Sequence, residues 1–163
     1  MEDILAQAKK VAEETEVFMV SSEETSVQFE ANRLKRIQSK QASNLALRVI
    51  KQGKIGYAST TELGDRGDLV NMAVETARFG MPAKFEFPPT GVCPKVDIFD
   101  PTVEPGALEH MVKLGEQLIT TVTSHTPEIV CEATVTKAII SYRIINSQGG
   151  EMNYRKSISS LDI

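Results

Sequence analysis

Few residues in this 163-residue chain can do chemistry: two histidines, His110 and His125, and two cysteines, Cys93 and Cys131. His110 sits in Leu108-Glu109-His110-Met111 with no second histidine one helical turn away. The helical zinc motif of two imidazoles with a glutamate between them is therefore missing. His110 reads as a solvated or half-buried helix residue. His125 stands beside Thr126-Pro127, where an imidazolium would favour the negative end of a helix dipole. Neither cysteine belongs to a CxxC pair. Cys131, in an alternating apolar stretch, reads as a small core residue. Cys93 as a nucleophile would need a histidine and an electropositive pocket, and its neighbours supply neither. Glu23-Glu24 are adjacent instead of spaced across a cleft, so they do not form an acid–base pair. Gly64-Asp65-Arg66-Gly67-Asp68 reads as a turn with a helix cap. Lys51-Gln52-Gly53-Lys54-Ile55-Gly56 bends a hairpin and lacks phosphate-loop spacing. The basic run Arg33, Lys35, Arg36 and Lys40 has no interleaved aromatics and reads as a solvated face or a sheet edge protected by charge. No nucleophile, base and oxyanion donor can be assembled, so the expectation is that this chain alone is no catalyst.

The composition fits that poverty. A net charge of −4, with 18 Lys plus Arg against 22 Asp plus Glu, argues against a nucleic-acid or anionic-membrane surface. At 41% hydrophobic and 25% charged, the chain lies in the globular range and is long enough to bury a core. No apolar run approaches the roughly 18–20 residues that span a bilayer. The start, Met1-Glu2-Asp3-Ile4, does not read as a secretory signal. Two cysteines suit a reducing compartment, so a cytoplasmic location is expected.

The elements that would position these residues follow from periodicity. Ile4, Leu5, Ala8, Val11 and Ala12 predict an amphipathic first helix. From Val17 to Ser59 alternation predicts about four antiparallel strands of about 6 residues each. Gln52-Gly53 supplies the hairpin turn between Leu45-Leu47-Val49 and Ile55-Tyr57-Ser59. A second helix over about 67–79, entered at Asp65 or Asp68, would bury Leu69, Met72, Ala73, Thr76 and Ala77, with Gly80 and Pro82 ending it. Residues 81–103 hold five of the seven prolines and predict an extended surface connection. A third helix over about 105–123, starting at Pro105, would bury Leu108, Met111, Val112, Gly115, Ile119 and Val122. Ile129, Cys131, Ala133 and Val135, then Ile140, Tyr142 and Ile144, predict strands, with a turn at Asn146–Gly150 before Met152, Tyr154 and Lys156. Strands grouped in runs give an α+β class, a largely antiparallel sheet with about three helices packed on it. Residues 1–150 would form one domain, and 151–163 the start of a strand leading onward, so the chain reads as cut short.

The stretches Ser26-Val27-Gln28-Phe29-Glu30-Ala31-Asn32-Arg33-Leu34-Lys35-Arg36-Ile37 and Leu47-Arg48-Val49-Ile50-Lys51-Gln52-Gly53-Lys54-Ile55-Gly56-Tyr57-Ala58-Ser59-Thr60 carry a resemblance. So do Ala73-Val74-Glu75-Thr76-Ala77-Arg78-Phe79-Gly80, Phe85-Glu86-Phe87-Pro88 and Ile144-Ile145-Asn146-Ser147-Gln148-Gly149-Gly150. In order and spacing they resemble the N-terminal domain of the TldD/PmbA family, often called modulators of DNA gyrase. Val96-Asp97-Ile98-Phe99-Asp100-Pro101 looks closer to the PmbA (TldE) branch.

That resemblance implies a longer protein with a β-rich C-terminal domain. TldD-type members are cytoplasmic peptide-processing zinc proteases with a His-Glu-x-x-x-His motif, and PmbA-type partners lack the zinc ligands and pair with them. The motif does not occur here, so no catalytic, cofactor or metal residue carries over, and zinc is expected only in a TldD-type C-terminal domain. Arg48, Gly53, Gly56, Ser59, Asn146 and Gly149 are matching structural positions. Gly53 would serve the hairpin turn, Gly56 a crowded place on the sheet, and Asn146 with Gly149 the exit turn. The expected role is a non-catalytic domain contributing an assembly surface and part of a substrate cleft. Expected partners are a TldD-type subunit or further copies of the chain, with an extended peptide as a possible ligand and neither nucleic acid nor membrane. The alternative is a direct protein-binding modulator of gyrase.

Overall fold

The computed structural model describes residues 1–62, 67–91, 94–103 and 108–163. Its elements run α1 (Glu2–Ala8), β1 (Glu14–Glu30), β2 (Arg33–Lys51), β3 (Lys54–Thr60), α2 (Gly67–Ala77), α3 (Leu108–His125), β4 (Ala133–Asn146) and β5 (Glu151–Asp162). The strands form one antiparallel sheet in the order β3-β2-β1-β4-β5. With the helices this is an α+β fold. The chain divides into two compact units, one of Met1–Ser21, Ala42–Val96 and Ser141–Tyr154, the other of Ser22–Gln41, Asp97–Ile140 and Arg155–Ile163.

In the first unit, alternation sends Val17, Leu45, Leu47, Val49 and Ala58 to one sheet face. There they bury against Ile4 and Ala8 of α1 and Leu69, Val70, Ala73 and Ala77 of α2. β2 and β3 pair through a hairpin with Leu47 opposite Ala58 and Arg48 opposite Tyr57. Its turn residues, Gln52 and Gly53, have φ of 51° and 67°, the left-handed pair that suits a two-residue hairpin. Both carboxylate oxygens of Glu13 accept from that turn, at 2.7 Å from the Gln52 N–H and 3.2 Å from the Gly53 N–H. In the second unit α3 lays Met111 and Ile119 on Val27, Phe29, Cys131, Ala133 and Val135. Gly115 is required there, because a Cβ would stand 2.1 Å from the Phe29 ring.

Several sequence expectations change. Three strands, two of them long, replace the four short ones expected over 17–59. Polar stretches of β1 and β2 are held in the sheet by side-chain pairs. Ser21 and Ser43 hydroxyls meet at 3.0 Å in the first unit, and Thr25 and Ser39 at 3.1 Å in the second. The reversal that sequence reading missed is Ala31-Asn32, both at positive φ (50° and 62°). Helix α1 stops at Ala8, leaving Val11 43% exposed, because the chain turns at Lys9–Glu13 to start β1. Met72 and Leu108 are exposed and Val70 is buried in place of Met72. A helix laid on a sheet buries a narrower stripe than the period suggests. Ile129 precedes β4 and is exposed, whereas Cys131 is buried. The proline-rich connection is not confined to the surface: Phe87 is 2% exposed and among the largest fully buried side chains. Asp65, Pro105 and the Gly64–Arg66 part of the Arg-Gly-Asp segment lie outside the described residues, while Asp68 sits in the first turn of α2.

Candidate functional site

The first unit places both of its helices on one sheet face. By the period-2 rule, the other face carries Glu16, Phe18, Ala46, Arg48, Tyr57, Ser59, Tyr142 and Ile144. Six of these, Glu16, Phe18, Ala46, Arg48, Tyr57 and Ile144, line an open concavity of about 310 Å³. Among them Arg48 is pinned, its guanidinium donating to Glu16 Oε1 at 2.6 Å. The Glu16 side chain is 10% exposed and the Arg48 side chain 42%, so the carboxylate is held inside while the cation reaches solvent. The guanidinium also lies 4.9 Å from the Phe87 ring centroid and 5.2 Å from that of Phe85. Such stacking suits arginine's planar, weakly hydrated cation.

The connection that delivers those two rings is tied down by backbone bonds. Glu14 Oε2 accepts from the Phe87 N–H at 2.8 Å, and Asn146 Nδ2 donates to the Pro88 carbonyl at 2.8 Å. Beside the concavity runs an aromatic row, with Phe18 6.2 Å from Tyr142 and Tyr142 stacked on Tyr154 at 4.6 Å between centroids. Tyr57 is 55% exposed. The face thus offers aromatic rings and one pinned guanidinium.

The residues singled out from the sequence are scattered. His110 is exposed on α3 and His125 is its last residue. Cys131 is buried among apolar side chains of the second unit. Its N–H donates to Asn32 Oδ1 at 2.7 Å, and Asn32 Nδ2 donates to the Ile129 carbonyl at 3.1 Å. Cys93 lies outside the described residues. Among the described residues no three His, Cys, Asp or Glu side chains converge as metal ligands. These donors do not fit a zinc ion. Arg33, Lys35, Arg36 and Lys40 are exposed along β2, and Glu23 accepts from Gln41 at 3.2 Å.

Residues 15–79 match the family model described as PmbA/TldA metallopeptidase domain 1. Over these residues, less than half of the chain, the sequence is similar to the first domain of that family. Solved structures share the fold over a longer stretch. A proposed modulator of a DNA gyrase from Thermotoga maritima superposes with a TM-score of 0.85 at 16% identity, over 98% of this chain and 37% of that one. TldE from Thermococcus kodakarensis gives 0.82 at 16%, over 99% and 38%. A proposed modulator of DNA gyrase from Bacteroides thetaiotaomicron gives 0.81 at 17%, over 98% and 38%. The chain therefore spans under two fifths of the length of these structures. No curated protein matches it by sequence.

Four of the six family-motif positions fall inside the matched residues. Arg48 lines the concavity, and Ser59 lies on the same face, opposite Ala46. Gly53 forms the hairpin turn. At Gly56 a Cβ would meet the Ala73 carbonyl oxygen at 2.0 Å and Ala77 Cβ at 2.8 Å, so glycine there lets α2 approach β3. Asn146 and Gly149 lie beyond the match. Asn146 Oδ1 accepts from Gln148 and Gly150 N–H at 2.9 and 2.8 Å, closing the β4–β5 turn, and Gly149 has φ of 86°. Sequence reasoning missed Glu13, Glu16, Asn32 and Phe87. Only Asn32 carried a local signal, as an asparagine before a new alternating run. The partners of Glu13 and Glu16 lie 39 and 32 residues away.

Proposed function

We propose that this chain is a non-catalytic first domain of a PmbA/TldD-type peptide-processing protein. Its helix-free face contributes to the assembly surface and to one wall of a cleft for an extended peptide. The observation that carries this reading is the Arg48 concavity, a half-open aromatic face with a pinned cation, whose lining residues except Ile144 lie within the stretch that matches the family model. A zinc ion would then reside in a TldD-type catalytic domain, and the partner would be such a subunit or further copies of the chain, in the cytoplasm. Co-expression with a TldD-type subunit, followed by co-purification, metal analysis and a peptide-cleavage assay, tests it. The chain alone should bind no stoichiometric zinc and turn over no peptide, and it should co-purify with the subunit. Arg48→Glu should weaken that association about tenfold or more. Stoichiometric zinc or turnover by the chain alone would overturn the proposal. Two similar structures are described as proposed gyrase modulators, which supports a second reading, direct contact with gyrase. Capture of purified gyrase by the chain without any TldD-type subunit would favour it.

A further inference from the structure

Between Ala31 and Thr61 the chain has seven cations and no Asp or Glu, although its net charge is −4. Four of these cations, Arg33, Lys35, Arg36 and Lys40, stand on the part of β2 that belongs to the second unit. β3 pairs with β2 only from Leu45 to Lys51. Among the described residues, the outer edge of β2 from Arg33 to Gln41 therefore has no strand partner. Every residue of that stretch is exposed except Gln38, which is half-buried. It contains no proline or glycine to interrupt its row of backbone donors and acceptors.

We propose that this edge receives an extended acidic segment of another protein as an added β-strand. A free strand edge recognises another backbone, because main-chain N–H and C=O groups are what it leaves unpaired. The cations select among candidates. They repel the same edge of a second copy and attract carboxylates on an incoming strand. The charges are also available for exchange. Lys35 meets Glu30 at 3.1 Å with both side chains more than half exposed, and Arg36 donates to the neutral amide oxygen of Gln28 at 3.0 and 3.2 Å. A nucleic acid fits less well, since residues 30–56 hold no Phe, Tyr or Trp on which bases could stack. This proposal stands apart from the family reading above, for it uses neither Arg48 nor the first unit.

Fluorescence anisotropy with the full chain tests it, using four probes. These are an eight-residue alternating Glu/Val peptide, its Lys/Val counterpart, the acidic peptide with alternate amides N-methylated, and oligo-dT. The acidic peptide should bind at least about tenfold more tightly than the other three, and added salt should weaken it. Hydrogen exchange should slow at amides within 33–41 when it binds. The double variant Arg33→Glu with Arg36→Glu should lose about tenfold or more in affinity with its melting temperature unchanged, as both side chains are exposed. Equal binding of the N-methylated peptide would reduce the effect to bare charge and overturn the proposal. So would tighter binding of oligo-dT, slowed exchange only outside 33–41, or no binding of the acidic peptide.

Discussion

Arg143 joins two carboxylates within the first unit, Glu2 Oε1 at 2.6 Å and Glu151 Oε1 at 3.0 Å. Glu2, in the first turn of α1, has its carboxyl lowered from 4.5 to about 2, first by a backbone hydrogen bond at its own residue and next by the Arg143 guanidinium. Glu151 is lowered too, chiefly by Arg143. A depressed carboxylate stabilises the fold above its unfolded pKa, and that contribution fades as pH falls from 4.5 through about 2. Carboxyl NMR titration should therefore find Glu2 still ionised at pH 3.5, and Arg143→Ala should move its midpoint up towards the ordinary range. A Glu2 midpoint near 4.5 in the unaltered chain would refute that assignment. Thr15 poses the opposite case, a fully buried residue whose Oγ1 has no hydrogen-bond partner among the described residues. An unsatisfied buried hydroxyl costs about 1–3 kcal/mol. Thr15→Val keeps the shape and should raise stability by about 1 kcal/mol, read as a higher urea midpoint with an unchanged slope.

At the scale of elements, two glycines of one hairpin do different work. Gly53 needs its positive φ and has open space around a Cβ, whereas Gly56 needs the space that α2 would otherwise lose. Gly53→Ala should cost about 1–2 kcal/mol through left-handed strain alone. Gly56→Ala should cost more, about 2–3 kcal/mol, because the obstructing atoms include the Ala73 carbonyl of the helix backbone. Equal losses in chemical denaturation would show that α2 can slide away from β3. The hairpin was legible because Gln52-Gly53 sits between alternating apolar runs. The crowding at Gly56 was legible only as a matching position, since nothing local says which helix comes to lie over it. The long strands were less legible still. Ser21–Thr25 and Ser39–Ser43 carry no apolar alternation, and cross-strand hydroxyl pairs keep them extended.

At the scale of the whole chain, two cores form from separate sets of side chains. Gly115→Val would drive atoms into the Phe29 ring, a mismatch that typically costs about 1–3 kcal/mol. Hydrogen exchange should then show lost protection concentrated in 22–41 and 108–125, with amides of β3 and α2 affected less. Uniform loss across both units would mean that they open as one. The sequence by itself determined the α+β class, the order of helices and strand runs, and the Gln52-Gly53 hairpin, because each is written in neighbouring residues. Only the tertiary structure decided that Arg48 is seated on Glu16 against two rings of the proline-rich connection, and that the cations of β2 lie along an edge that β3 does not reach. Both depend on which distant segments come together, and on how far each strand extends past its neighbour. Local periodicity does not encode either.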